Sequence, residues 1–176
     1  MLSTILLVLV LVIAVILAIA ATKPNSFKVE RSARIEAPPE KIFPLINDFR
    51  RWGAWSPWEH VDPDMKRTFS GPDSGVGSIY EWEGNNKAGK GRMEITQSRP
   101  SSHVSLNLDF IKPFKASNVT EFDFVPNGNA TDFRWVMHGP SPFVTKIMMV
   151  FTTMDKMIGK DFDQGIVNLK KAAASL

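Results

Sequence analysis

The sequence predicts an α+β domain behind one N-terminal helix of membrane-spanning length. Three observations carry that expectation. The first 22 residues of the 176 hold no charged side chain, and all 21 Lys and Arg and all 18 Asp and Glu come after them. From Phe27 to Met137, short runs alternate apolar and polar residues, the period-2 mark of half-buried strands. From Ile147 to Leu169, apolar residues recur every three or four positions, the stripe of an amphipathic helix. Strands first and a long helix last make an α+β domain, in which the helix must bury its stripe against the sheet.

The composition narrows the function classes. A hydrophobic content of 44% with 22% charged residues excludes a disordered chain. The absence of cysteine excludes disulfides, thiolate nucleophiles, cysteine-ligated zinc and iron–sulfur clusters. The net charge of +3 is small and the two signs are interleaved, so no nucleic-acid partner is expected.

Each element follows in order. Ile5 to Ala21 is an unbroken apolar run, extended by Leu2, and about 20 such residues cross a bilayer core as a helix. Residues 1–22 are read as a signal-anchor, with the membrane engaged through residues 2–21. Lys23, Lys28, Arg31, Arg34 and Lys41 follow the span and nothing basic but the terminal amine precedes it, which places the following domain on the cytoplasmic face. The alternative is a cleaved signal peptide and export, for which Ala18-Ile19-Ala20 offers a small-residue cleavage pattern. Residues 23–26 form a short linker. Counted from Thr22 to Ser26, it reaches at most about 18 Å, so the domain of residues 27–176 stays close to the lipid.

Phe27, Val29, Ala33 and Ile35 mark a first strand, ended by Ala37-Pro38-Pro39. A short helix over Glu40 to Ile46 and a helical turn over Phe49 to Trp55 come next, since proline suits a helix's first turn. A weak strand over Met65 to Ser70 precedes strands over Ser78 to Glu83 and Lys90 to Ser98, joined by a turn at Gly84 to Gly89. The self-consistent register opposes Glu83 to Lys90, Glu81 to Arg92 and Tyr80 to Met93. Strands over His103 to Phe110, Ala116 to Val125 and Thr131 to Met137 complete an antiparallel sheet of six or seven strands. Ser141-Pro142 opens one long terminal helix.

The segment Ile35-Glu36-Ala37-Pro38-Pro39-Glu40-Lys41-Ile42-Phe43 resembles the opening of the polyketide cyclase/dehydrase-like group of the START-like (SRPBCC) superfamily. So do Asp48-Phe49-Arg50-Arg51-Trp52, Trp55-Ser56-Pro57-Trp58, the Gly71 to Ser78 stretch and Gly159-Lys160-Asp161-Phe162. The resemblance spans about Phe27 to Leu169. It implies a helix-grip fold, a curved antiparallel sheet around a long C-terminal helix with a cavity between them. It implies a binding scaffold more firmly than one activity, and supplies no catalytic motif to carry over.

The implied cavity wall comprises Tyr80, Trp82, Met93, Leu106, Leu108, Phe122, Trp135, Met137, Met154 and Ile158. Met148, Met149, Met154 and Met157 crowd the terminal helix, and methionine suits surfaces that accept varied apolar ligands as well as ordinary cores. Trp52, Trp55 and Trp58, with Arg50 and Arg51, are candidates for the membrane interface, where tryptophan and arginine are favoured. The competing reading caps the core with those tryptophans. His60, His103 and His138 are too scattered for a metal site, and no metal or cofactor is expected. Gly84 to Lys90 approaches a phosphate-binding loop, but Gly91 stands where Ser or Thr should hold magnesium, and the segment joins two strands.

Three functions remain open from these residues. The first is membrane-tethered binding of a hydrophobic small molecule or lipid. The second is a cyclase, dehydratase or hydrolase on a hydrophobic substrate, using Tyr80 and either Asn118 or Thr120 inside the cavity. The third is a regulatory partner-binding domain with the cavity collapsed.

Overall fold

The computed structural model describes all 176 residues. A first helix, α1 (Leu2–Thr22), leads into strand β1 (Ser26–Ile35). Helix α2 (Pro39–Asn47) and two 3₁₀ turns, Phe49–Ala54 and Pro57–His60, connect to the meander β2 (Lys66–Ser70), β3 (Ile79–Glu83), β4 (Lys90–Arg99), β5 (His103–Lys112), β6 (Ala116–Asn127) and β7 (Ala130–Pro140). Helices α3 (Phe143–Phe151) and α4 (Met154–Ala174) end the chain. The seven strands form one antiparallel sheet in the order β1-β7-β6-β5-β4-β3-β2. The fold is a helix grip, with the sheet curved around α4. A register shift between β4 and β5 at Ile95–Gln97 is the kind of bulge that bends a sheet.

Alternation sets the faces. In β5, Val104, Leu106 and Leu108 point into the core, and in β7 Phe133, Trp135 and Met137 do the same. The β3–β4 hairpin has the expected register, pairing Tyr80 with Met93, Glu81 with Arg92 and Glu83 with Lys90. Lys90 bridges Glu83 at 2.8 Å, whereas the Arg92 guanidinium turns along its own strand to Glu94 at 2.7 Å.

The terminal helix departs from expectation. It is two helices, because Thr152 and Thr153 are extended and the Thr153 hydroxyl caps α4 by accepting from the Lys156 N–H at 3.1 Å. Only α4 is gripped by the sheet. Phe162, Ile166 and Leu169 are buried along it, and Gly165 lets it close on the sheet, since a Cβ there would lie 2.8 Å from the Trp135 ring. Arg31 of β1 reaches across to α4, with Nη1 donating to Asp155 and Nε to Asp163, both at 2.7 Å.

The tryptophans after α2 resolve a second expectation. Trp52 and Trp55 are only 4% and 1% exposed, so their side chains lie in the core and do not reach a membrane surface. Their indole N–H groups donate to the carbonyls of Ile46 and Leu45, each at 2.9 Å, satisfying acceptors that the last turn of α2 leaves free. Arg50 and Arg51 are exposed. Arg50 pairs with Asp73 and lies over the Phe69 ring, and Arg51 pairs with Asp48.

The linker is held. The Ser141 N–H donates to the Asn25 carbonyl at 2.7 Å, and the Lys146 ammonium donates to the Asn25 side chain. Helix α1 also packs directly on α3.

Candidate ligand pocket

Between the concave face of the sheet and helices α3 and α4 lies an open pocket of about 530 Å³, lined by 30 residues of which 21 are hydrophobic. Every central strand contributes through its inward period-2 positions. Tyr80 and Trp82 come from β3, Met93 from β4, Leu106, Leu108 and Phe110 from β5, Asn118 and Thr120 from β6, and Trp135 and Met137 from β7. The helices close the other side with Val144, Thr145 and Met148 of α3 and Met154, Met157 and Ile158 of α4.

Of the residues that sequence reasoning assigned to the wall, Tyr80, Trp82, Met93, Leu106, Leu108, Trp135, Met137, Met154 and Ile158 all line this pocket. Phe122 does not. It points inward as Thr120 does, but the rings of Trp52 and Trp55 meet it edge-on at 6.1 and 6.2 Å and fill the space in front of it. Trp58, a membrane-interface candidate, is half-buried and lines the pocket, with its ring edge-on to Trp135 and Phe162.

A polar cluster borders the apolar surface. The Tyr80 hydroxyl donates to Glu59 Oε1 at 2.7 Å. Arg67 Nε donates to Glu59 Oε2 at 2.8 Å, and its Nη2 to the Glu59 carbonyl at 2.6 Å. Burial, then the hydrogen bond to Glu59 and that residue's charge, push the Tyr80 phenol far above its ordinary range. Along β6 and β7, Asn118 Oδ1, Thr120 Oγ1 and Trp135 Nε1 are buried with no hydrogen-bond partner in the protein. The Glu59–Arg67 part of the cluster is not legible in sequence, because Glu59 sits in a 3₁₀ turn whose contacts no periodicity reports.

The histidines lie elsewhere. His103 pairs with Asp123 at 2.7 Å, His138 approaches Glu121 at 3.5 Å, and His60 Nε2 contacts the Gly53 carbonyl. No group of three or more His, Asp or Glu side chains converges to hold a metal ion.

Comparison with known proteins agrees with this geometry. Solved structures share the fold at low identity. Protein MLL2253 from Mesorhizobium loti superposes with a TM-score of 0.63 at 16% identity, covering 85% of this chain and 98% of its own. SA2116 from Staphylococcus aureus, a protein of unknown function, gives 0.61 at 10% identity, covering 85% and 94%. The Aha1 dimer from Colwellia psychrerythraea gives 0.56 at 20% identity, covering 84% and 96%. No curated protein matches the sequence. A family model described as polyketide cyclase / dehydrase and lipid transport matches residues 26–174. That match takes in the whole sheet and both terminal helices, and the chain therefore belongs to this family, within the START-like superfamily that its sequence resembles.

Proposed function

We propose that the protein is a membrane-anchored binder that holds a hydrophobic small molecule or lipid between its sheet and its C-terminal helices, with the domain on the cytoplasmic face. The single observation that carries this reading is the open pocket, whose volume and mostly apolar lining suit a ligand-sized molecule. Lipid transport in the family description supports the ligand class. Helix α1 supports the anchor. Its 21 residues measure about 32 Å along the axis, enough for a bilayer core, and they are almost wholly exposed in the folded chain.

Native mass spectrometry of the full-length protein, extracted in detergent, tests both parts. The expected result is an intact mass that includes residues 1–22 and a stoichiometric apolar adduct, identified by lipid analysis of the released material. Delipidated protein should then take up a fluorescent fatty-acid or polycyclic probe saturably. A folded, delipidated protein that binds no member of a broad probe panel overturns the binding assignment. A mature chain that starts beyond Ala20 overturns the anchor.

A further inference from the structure

We infer that α3 and the tip of the β5–β6 loop are embedded in the cytoplasmic boundary of the same bilayer that α1 crosses, so that the pocket opens into lipid rather than into water. This rests on the anchored reading above and adds to it the route of the ligand.

Three features lead there. The first is depth. Ile16 and Ala20, one turn apart, are the only residues of α1 that are not exposed, and α3 is the element packed on α1. Ile16 lies six residues before the helix ends at Thr22, about 9 Å inside that end along the axis. A helix that touches a membrane span at this level lies below the headgroups, at the depth of about 5–10 Å that interfacial helices occupy. The hydrogen bonds from Ser141 and Lys146 to Asn25 hold α3 there, because they pin the start of α3 to the chain that leaves α1.

The second feature is the composition of the surface so placed. Helix α3 reads Phe-Val-Thr-Lys-Ile-Met-Met-Val-Phe, yet none of its residues is buried. Phe151 is 73% exposed, and in the β5–β6 loop Phe114 is 65% exposed. An apolar helix left open on a folded domain is a surface for an apolar partner, and here the partner is already in contact through α1. Lys112 and Lys115 flank Phe114, the arrangement in which lysine stems lie along apolar chains and their ammonium groups reach the headgroups.

The third feature ties the surface to the pocket. Phe114 and Val144 are exposed and also line the pocket, so they stand at its mouth. A mouth framed by residues in the acyl boundary lets an apolar ligand move between bilayer and pocket without crossing water.

The natural absence of cysteine makes site-specific labelling direct. Full-length Val8→Cys, Phe114→Cys, Phe151→Cys and Asn129→Cys, each at an exposed position, are labelled with an environment-sensitive fluorophore. They are then reconstituted into phosphatidylcholine–phosphatidylglycerol vesicles with or without brominated acyl chains. The inference expects loss of fluorescence to brominated lipid at Val8→Cys, Phe114→Cys and Phe151→Cys, and none at Asn129→Cys in the distal β6–β7 turn. Quenching at Val8→Cys alone overturns the inference and leaves the anchor standing. No quenching at Val8→Cys overturns the anchor and the inference with it. Protection of Phe151→Cys that follows the protein-to-lipid ratio and ignores bromination means that a second copy covers this face, and also overturns the inference.

Discussion

Truncating Phe162 to alanine tests whether α4 is held by its stacked ring. The side chain is fully buried and lies face-on to Trp135 with ring centroids 4.0 Å apart, and its ring stands at 82° to that of Trp58 with centroids 6.0 Å apart. Removing it takes a whole aromatic ring out of the core and leaves a cavity that the sheet cannot close. Phe→Ala changes of this kind cost about 3–5 kcal/mol. The two aromatic contacts favour the middle of that range or above. Against a total stability of about 5–15 kcal/mol, Phe162→Ala would remove a large share. Urea unfolding of the full chain in detergent, followed by tryptophan fluorescence, measures the loss. With a slope near 2 kcal/mol per molar, a cost of about 4 kcal/mol lowers the midpoint by about 2 M at unchanged slope. Phe162→Leu keeps most of the volume and should cost about 1–2 kcal/mol, so it gives a usable midpoint if the alanine variant does not fold. Phe151→Ala, in α3, should leave the midpoint unchanged, because its ring is exposed. A midpoint shift below about 0.5 M for Phe162→Ala would refute the reasoning, since α4 would then be held by something other than this stack.

Three further outcomes follow from the same geometry. On the outer face, burial pushes the Asp123 carboxyl up, but hydrogen bonds from His103 and Arg134 outweigh it and hold the group below its ordinary value of 3.8. A depressed folded-state pKa means the unfolded chain binds the proton first on acidification. The Asp123 contribution is therefore complete above about pH 4 and is lost as the pH falls through the lower folded value, and Asp123→Asn should flatten the acid limb of a stability–pH profile. Tyr80→Phe removes the hydroxyl from Glu59 and leaves Arg67 in place, so thermal unfolding should report a loss on the order of 1 kcal/mol with the fold retained. Met148→Trp adds bulk to the α3 side of the pocket, and should weaken binding of an apolar probe several-fold while the unfolding midpoint stays put, because Met148 is only half-buried.

Strand faces were legible because a period of two leaves no freedom. Once Tyr80 and Met93 are opposed, Leu106, Leu108, Trp135 and Met137 must share their side of the sheet. Depth along a strand was not legible. Phe122 and Thr120 have the same phase, and only the 3₁₀ turn that carries Trp52, with Trp55 directly after it, decides that one faces packed rings and the other faces the pocket. The same turn explains the tryptophan triplet. A spacing of three suggests a shared face, but Trp52 and Trp55 are drawn inward by carbonyls of α2 that no residue pattern advertises. The break between α3 and α4 was hidden for a different reason. The apolar stripe runs straight through Thr152 and Thr153, because both halves need an apolar face, one toward α1 and the pocket and the other toward the sheet.

The pocket's polar inventory weighs on whether it holds a molecule or transforms one. Proton transfer needs a group whose pKa lies near the working pH and whose proton is free to move. Tyr80 meets neither condition, since its phenol is pushed far up and its O–H is already engaged in a hydrogen bond to Glu59. Glu59 has both carboxylate oxygens engaged, one by Tyr80 and the other by Arg67. The histidines are no better placed, since His103 and His138 pair with acids on the opposite face of the sheet and His60 is exposed at the Gly53 carbonyl. Asn118 Oδ1, Thr120 Oγ1 and Trp135 Nε1 lack partners, but they are buried beneath the wall, and the surface that a ligand meets is mostly apolar. A clamp of Tyr80, Glu59 and Arg67 that is already satisfied, beside a mostly apolar surface, favours the proposed binding reading over the enzymatic one.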